Sequence, residues 1–281
     1  MIASNDIDLT EAQFARIADL VYRHCGITLG EGKIDLVRAR LGKHIRAGGF
    51  ATADCYIDHV LADATGRAFT TLIDTLSTNL TSFFREKDHF DYLRKVLLPR
   101  LITQKQRAGN NRLRVWCAAA STGEEPYSLA MTILEGVGGE QAGYDIKILA
   151  SDISTRVLAK AREGIYDQQR AQAIPEPLRC KYMAVNRFEG RVFYNATPPL
   201  KQLIAFRQVN LMESWPFTGP FDFIFCRNVM IYFDKSTQQT LVNRFHDCLP
   251  AGGTLFTGHS ESLTGIAHRF EYVQPAVYVK R

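Results

Sequence analysis

Apolar residues recur at helical spacing through the first hundred residues, and alternating strand and helix patterns replace them after about residue 110. Phe14, Ile17, Leu20 and Val21 fall three and four apart behind Thr10, whose hydroxyl suits a helix N-cap. The spacing predicts a second helix from about Lys33 to Arg46, ended by Gly48-Gly49-Phe50. A third, capped by Thr52, is expected around Tyr56 to Leu61, and a fourth over about Ala68 to Leu76. No strand pattern occurs before about Arg112, so residues 1–76 read as a small all-helical domain. The polar run Ser77 to Arg85 marks a junction, taken as a linker over residues 77–88.

Beyond it the pattern predicts helix Asp88 to Lys105, strand Arg112 to Cys117, helix Glu125 to Leu134, strand Ile146 to Ala150 and helix Arg156 to Glu163. Strand Phe221 to Cys226, helix Lys235 to Cys248, strand Gly253 to Gly258 and a last strand around Ala276 to Lys280 follow. Such alternation implies an α/β domain over residues 89–281, a mostly parallel sheet with helices on both faces. Between Glu176 and Asn210 it breaks, and Arg191 to Tyr194 and Leu203 to Arg207 read as short antiparallel strands of a small β subdomain, about residues 176–209. Excursions of this kind often carry a contact surface.

Composition leaves this picture intact: 281 residues, 46% hydrophobic and 22% charged, fit one large and one small globular domain. The six cysteines never form C-x-x-C, so neither a zinc site nor a disulfide framework is signalled, and buried reduced thiols in a cytoplasmic protein are expected. The first ten residues hold no long apolar run and no segment reaches a membrane span, so neither leader nor membrane insertion is expected. Charge does change the picture. Between Val21 and Phe50, Arg23, Lys33, Arg38, Arg40, Lys43 and Arg46 stand against Glu31 and Asp35, a net +4. The segment suits an acidic protein surface or a solvated helical face; without interleaved aromatics or a reader motif, nucleic acid is disfavoured.

The most informative stretch is Val115 to Ser128, where an apolar strand runs into Ala118-Ala119-Ala120-Ser121-Thr122-Gly123 and then Glu124-Glu125-Pro126. Small residues let a ligand approach the backbone, and two acids at a helix start repel a pyrophosphate. Downstream, Asp152 ends a predicted strand where such folds bind ribose hydroxyls, although it or Ser154 equally suits a helix N-cap. The nicotinamide fingerprint G-x-G-x-x-G is missing. S-adenosylmethionine, with ribose, adenine and a sulfonium but no phosphate, is compatible with these acids.

The chain resembles the chemotaxis-receptor glutamate methyltransferases, the CheR family. The resemblance rests on T-N-L-T-S-F-F-R-E at Thr78 to Glu86, A-A-A-S-T-G-E-E-P-Y-S at Ala118 to Ser128, A-S-D-I at Ala150 to Ile153 and G-I-Y at Gly164 to Tyr166. Asn210-Leu211, C-R-N-V-M-I-Y-F at Cys226 to Phe233 and G-H-S-E-S at Gly258 to Ser262 complete it, in order over nearly the whole chain. It implies an S-adenosylmethionine-dependent methyltransferase of Rossmann-like mixed sheet, with a small antiparallel β subdomain and a helical N-terminal domain that recognises the receptor. It implies methyl esters on receptor glutamates, with S-adenosylhomocysteine as product.

By that resemblance Asn79, Thr81, Arg85, Glu125, Asp152, Asn210, Leu211, Arg227 and Asn228 contact the cofactor, Asp152 on the ribose and Asn210 and Leu211 beside the adenine. Arg85 and Tyr232 fall at the reacting centre; the plainer readings are a salt bridge of Arg85 with Glu86 or Asp88, and burial of Tyr232 beside Phe233. Gly258 to Ser262 read as a wall, with no proton shuttle required of His259 and no metal. Lys33, Arg38, Arg40, Lys43 and Arg46 acquire a partner, the acidic cytoplasmic helices of the receptor. Family members that tether to a receptor's C-terminal pentapeptide carry a glycine-flanked loop where this chain reads Met183-Ala184-Val185-Asn186-Arg187-Phe188-Glu189-Gly190-Arg191, so no tether is expected. Nothing demands more than a monomer. The competing functions are a non-catalytic cofactor-sensing or receptor-docking module, and a methyltransferase with another substrate.

Overall fold

The computed structural model describes residues 9–139 and 143–281; the first eight residues, in which no leader is expected, lie outside them. Four helices, α1 (Glu11–Cys25), α2 (Ile34–Ala47), α3 (Ala53–Ala62) and α4 (Arg67–Leu76), form the N-terminal unit. The predicted caps are present. Thr10 accepts from Gln13 N in a reciprocal capping box, and Thr52 accepts from Cys55 N. Ile17, Val21, Val37, Leu41, Ile45, Ile57, Leu72 and Ile73 close a core of their own.

The chain then runs through α5 (Lys87–Tyr92), a π-helical turn at Leu93–Leu97 and α6 (Leu98–Arg107), where one uninterrupted helix is predicted. Pro99, at the start of α6, has no N–H to donate to the preceding turn. Next come β1 (Arg112–Ala118), α7 (Glu124–Val137), β2 (Asp145–Asp152), α8 (Thr155–Glu163), β3 (Ile165–Asp167), α9 (Gln168–Ala171), α10 (Glu176–Tyr182), β4 (Met183–Phe188), β5 (Arg191–Ala196), α11 (Pro198–Gln202) and β6 (Ile204–Gln208). After them follow β7 (Phe223–Cys226), α12 (Lys235–Asp247), β8 (Thr254–Phe256), β9 (Phe270–Gln274) and β10 (Val277–Lys280).

The main sheet has the order β6-β2-β1-β7-β8-β10-β9, parallel from β6 to β8 and antiparallel at β10 and β9. Its two faces carry separate cores. One holds Val115, Leu129, Ile148, Phe223 and Phe225; the other holds Trp116, Ile224, Leu241, Phe245 and Leu255. Strand order reverses on either side of β1, so the carboxyl ends of β1, β2 and β7 open a crevice there, the usual ligand position in such sheets.

Three expectations require correction. The segment predicted at Leu203 to Arg207 is not part of the antiparallel excursion, because Ile204–Gln208 pairs in parallel with β2 at the edge of the main sheet. The small sheet is β3-β5-β4 and starts at Ile165, before the predicted boundary of 176. A three-residue strand is too short to leave an alternating pattern. Among the cysteines, Cys25, Cys117, Cys226 and Cys248 are buried, whereas Cys55 and Cys180 are exposed.

The helical unit docks beside the crevice. Ile27 bridges Phe233, Thr28 N donates to the Tyr232 carbonyl at 2.8 Å, and Asn210 Nδ2 donates to the His24 carbonyl at 2.6 Å. Gly26, which ends α1 at φ 71°, permits this approach, since a Cβ there would fall 2.8 Å from Met212 Sδ.

Candidate cofactor and active site

The turn after β1 has left-handed backbone at Ala119 (φ 73°), Ser121 (φ 47°) and Gly123 (φ 100°). Two of these carry side chains, and the strain is held by hydrogen bonds from Ala119 N and Ala120 N to the Ser151 carbonyl at 2.7 and 2.8 Å. Gly123 admits no substitute, because a Cβ would lie 2.6 Å from Tyr166 Oη. Asp152 accepts from Ser121 N and Ser154 N, each at 2.9 Å. Ser154, not Asp152, caps α8 by accepting from Val157 N, so the alternative reading of Asp152 as a cap falls away. Burial pushes the Asp152 carboxyl up to about 6 against these two backbone donors.

The two acids at the start of α7 diverge. Glu124 turns away into full burial and is held by Thr122 Oγ1 at 2.6 Å and Arg170 at 2.7 Å. Glu125 faces the crevice and meets Arg227 at 2.7 Å, with the Cys117 thiol 3.2 Å away. The Arg227 side chain is fully buried and also meets Glu86 at 2.9 Å and the Arg85 carbonyl at 2.6 Å. This ion-pair hub joins the linker, the start of α7 and the end of β7. Burial raises Glu125 above the usual carboxylate range; in Glu86 burial acts the same way, but Arg227 together with Asn228 and His259 outweighs it and the net shift is downward. Burial, and then Arg227, pushes His89 down to about 3, so its imidazole is neutral. Glu86, His89 and His259 bring ligating atoms within 4.8 Å of one another, but the Glu86 carboxylate already neutralises Arg227.

The linker is fastened along its length. Ser121 Oγ donates to the Asn79 carbonyl at 3.1 Å, Phe84 N donates to Ser128 Oγ at 3.0 Å, and Arg85 Nη1 donates to the Leu80 carbonyl at 3.0 Å. Arg85 lies 4.0 Å from Glu86, so the salt bridge considered for it is at most a weak one. From α2, Arg40 donates to the carbonyls of Leu76 and Ser77 at 2.5 and 3.2 Å and to Thr78 Oγ1 at 3.2 Å. Arg40 is therefore a clasp on the linker, not an open contact for an acidic partner. Arg38 donates to the Leu9 carbonyl at 2.8 Å and pairs with Asp35; Lys43 and Arg46 are exposed.

One cavity is lined by all ten residues expected at the cofactor and reacting centre: Asn79, Thr81, Arg85, Glu125, Asp152, Asn210, Leu211, Arg227, Asn228 and Tyr232. Their readiness for a ligand differs. The Asn210 amide is engaged by His24, Glu213 and Met212, and Arg227 by its two carboxylates. Tyr232 is half-buried, and Lys33 Nζ stands 5.2 Å from its ring centroid.

Sequence reasoning missed Glu261. It is 5% exposed and accepts from Asn228 N at 2.7 Å, Gly258 N at 2.6 Å and Ile231 N at 3.2 Å. It thereby holds the loop that carries Asn228, at φ 59°, and Tyr232. The legible signal is an acid among small residues just after a strand, but its three donors lie up to thirty-three residues away. The sequence offers Glu86 only as a partner for Arg85, whereas its partner in the fold, Arg227, lies 141 positions further along.

Residues 12–77 match the family model described as CheR methyltransferase, all-alpha domain, and residues 79–279 match CheR methyltransferase, SAM binding domain. The chain is 42% identical to a probable chemotaxis protein methyltransferase of Rhizobium etli, over 92% of this chain and 96% of that one. It is 40% identical to the chemotaxis protein methyltransferase of Borreliella burgdorferi, over 98% and 96% of the two chains. With that of Escherichia coli it shares 39% identity over 96% and 91%.

Replacing Arg227 by methionine leaves Glu86 and Glu125 as unpaired carboxylates in a buried setting. Urea denaturation should show a loss of about 3–5 kcal/mol for Arg227→Met, and a loss under about 1 kcal/mol would mean that the hub is dispensable for folding.

Proposed function

The chain belongs to the CheR methyltransferase family, and we propose that it transfers the methyl group of S-adenosylmethionine to glutamate side chains on the cytoplasmic helices of chemoreceptors. The observation that carries this reading is a cavity in which a buried carboxylate, Asp152, sits beside a strained turn, while Arg85 and Tyr232 line the same space. The donor set fits S-adenosylmethionine: carboxylates face the crevice and no glycine-rich phosphate cradle is present. When bound, it supplies an electrophilic methyl group.

The residues divide the remaining work. Asp152 accepts from ribose hydroxyls, while Asn79, Thr81 and Asn228 line the cavity around the cofactor. Asn210, its amide engaged by the fold, and Leu211 wall the adenine side. Arg227 acts through Glu125 and Glu86, tying the start of α7 to the linker and holding the linker shut. Arg85 and Tyr232 orient the acceptor. A glutamate is already ionised near neutral pH, its unperturbed pKa being about 4.3, so no general base is needed and His259 serves as wall. Attack by a carboxylate on a sulfonium methyl removes charge of both signs, and a closed, dry cavity favours it.

Lys43 and Arg46, with Arg38 beside them, offer a basic face to the acidic receptor helices. The β4–β5 connection is the two-residue turn Glu189-Gly190, which supports a tether-independent enzyme. The active unit is read as a monomer, placed in the cytoplasm by its partner. No described helix is long and apolar enough to cross a membrane.

Incubation with radiolabelled S-adenosylmethionine and receptor fragments should give base-labile label on the receptor, at equal rates with and without the receptor's C-terminal tail. Cofactor binding without transfer would mean a sensing module, and label only on other acceptors would mean a different substrate. Calorimetry should show cofactor affinity falling as pH drops through about 6, approaching a tenfold loss per pH unit as Asp152 protonates. Asp152→Asn should bind weakly at every pH and lack that limb. Lys43→Glu should raise the receptor KM and spare cofactor affinity, whereas Arg40→Glu should weaken both, because Arg40 holds the linker. Normal cofactor affinity in Arg40→Glu would remove it from that role.

A further inference from the structure

Lys33 is grouped by sequence with the basic residues of α2, but the structure sets it apart from them. It stands at the N-cap of α2, half-buried, and lines the same cavity as Arg85 and Tyr232. Its ammonium lies over the Tyr232 ring, 5.2 Å from the centroid. Five and six residues before it, the chain is fixed to the Tyr232 loop by the Thr28 N to Tyr232 carbonyl bond and the Ile27–Phe233 bridge. Among the described residues no carboxylate pairs with it. Of the other cations there, Arg227 is engaged by Glu86 and Glu125 and Arg40 by linker carbonyls, while Arg85 donates to the Leu80 carbonyl and shares the cavity with Lys33.

We propose that Lys33 binds the acceptor carboxylate inside the active site, which makes the helical domain a contributor to the reacting centre and not only a docking surface. This rests on the reading that a receptor carboxylate is the acceptor. The chemistry favours a lysine at this point. An ammonium is a compact charge that can hold one carboxylate oxygen and leave the other free to attack, whereas an arginine fork tends to engage both. Transfer neutralises the carboxylate, so a cation beside it stabilises the bound substrate more than the transition state. Lys33 therefore contributes mainly to binding. A contact inside the cavity also resists salt, unlike steering by exposed charges over a Debye length.

The experiment measures methyl transfer to a receptor cytoplasmic fragment at about 0.05 and 0.5 M NaCl, with S-adenosylmethionine affinity measured by calorimetry on the same proteins. Lys33→Met should raise the receptor KM by about tenfold or more at both salt concentrations, with kcat and cofactor Kd within about threefold of wild type. Lys33→Arg should recover only part of the loss, and any effect of Lys43→Met should fade at high salt. Three results would overturn the assignment: an unchanged KM, a KM defect that high salt removes, or a loss falling on cofactor Kd, which would put Lys33 on the cofactor's own carboxylate. Failure of the wild-type protein to form a receptor ester would instead overturn the underlying function, so the two failures are separable.

Discussion

A single buried guanidinium, Arg227, holds together the parts that make the cavity. It lies at the carboxyl end of β7 and engages Glu125 at the start of α7, Glu86 at the end of the linker and the Arg85 carbonyl. A buried charge of this kind is costly unless its partners are well placed, and here two carboxylates and a carbonyl share the task. The consequence is geometric. Arg85 is placed because its own carbonyl is pinned, and the kinked backbone at Phe84 and Glu86, both at positive φ, is held against the sheet.

The same logic extends outward from the hub. Glu261 holds the Tyr232 loop through three backbone N–H groups, and Asp152 holds the strained turn through Ser121 N. Buried carboxylates thus do structural work at three corners of one cavity, each satisfied chiefly by backbone donors or by Arg227. The helical unit closes the fourth side. It clasps the linker with Arg40 and brings Lys33 over Tyr232, so the cavity is an interface between two separately cored units.

The sequence was a good guide wherever structure is local. Thr10 and Thr52 cap as read, because a cap depends on residues three positions away. The central strands lie where continuous apolar runs place them. It misled where pairing is long-range: Ile204–Gln208 has the pattern of any short strand, and only its partner β2 shows which sheet it joins. Net charge groups Arg40 with Lys33, since it does not tell which side chain turns toward the linker or the crevice.

By itself, then, the sequence determined the helical unit and the alternation that builds a mostly parallel sheet, because these follow from periodicity and caps within short windows; the family resemblance, carried by its motifs, added the set of residues that line the cavity. Tertiary structure alone decided how that set divides into groups that face a ligand and groups that hold the wall. Arg227 and Asn210 are engaged by the fold, Glu261 and Glu86 fasten it, and Lys33 lines the cavity. The physical reason is that a buried polar group must find a partner wherever the chain brings one, and Arg227 and Glu86 meet across 141 positions.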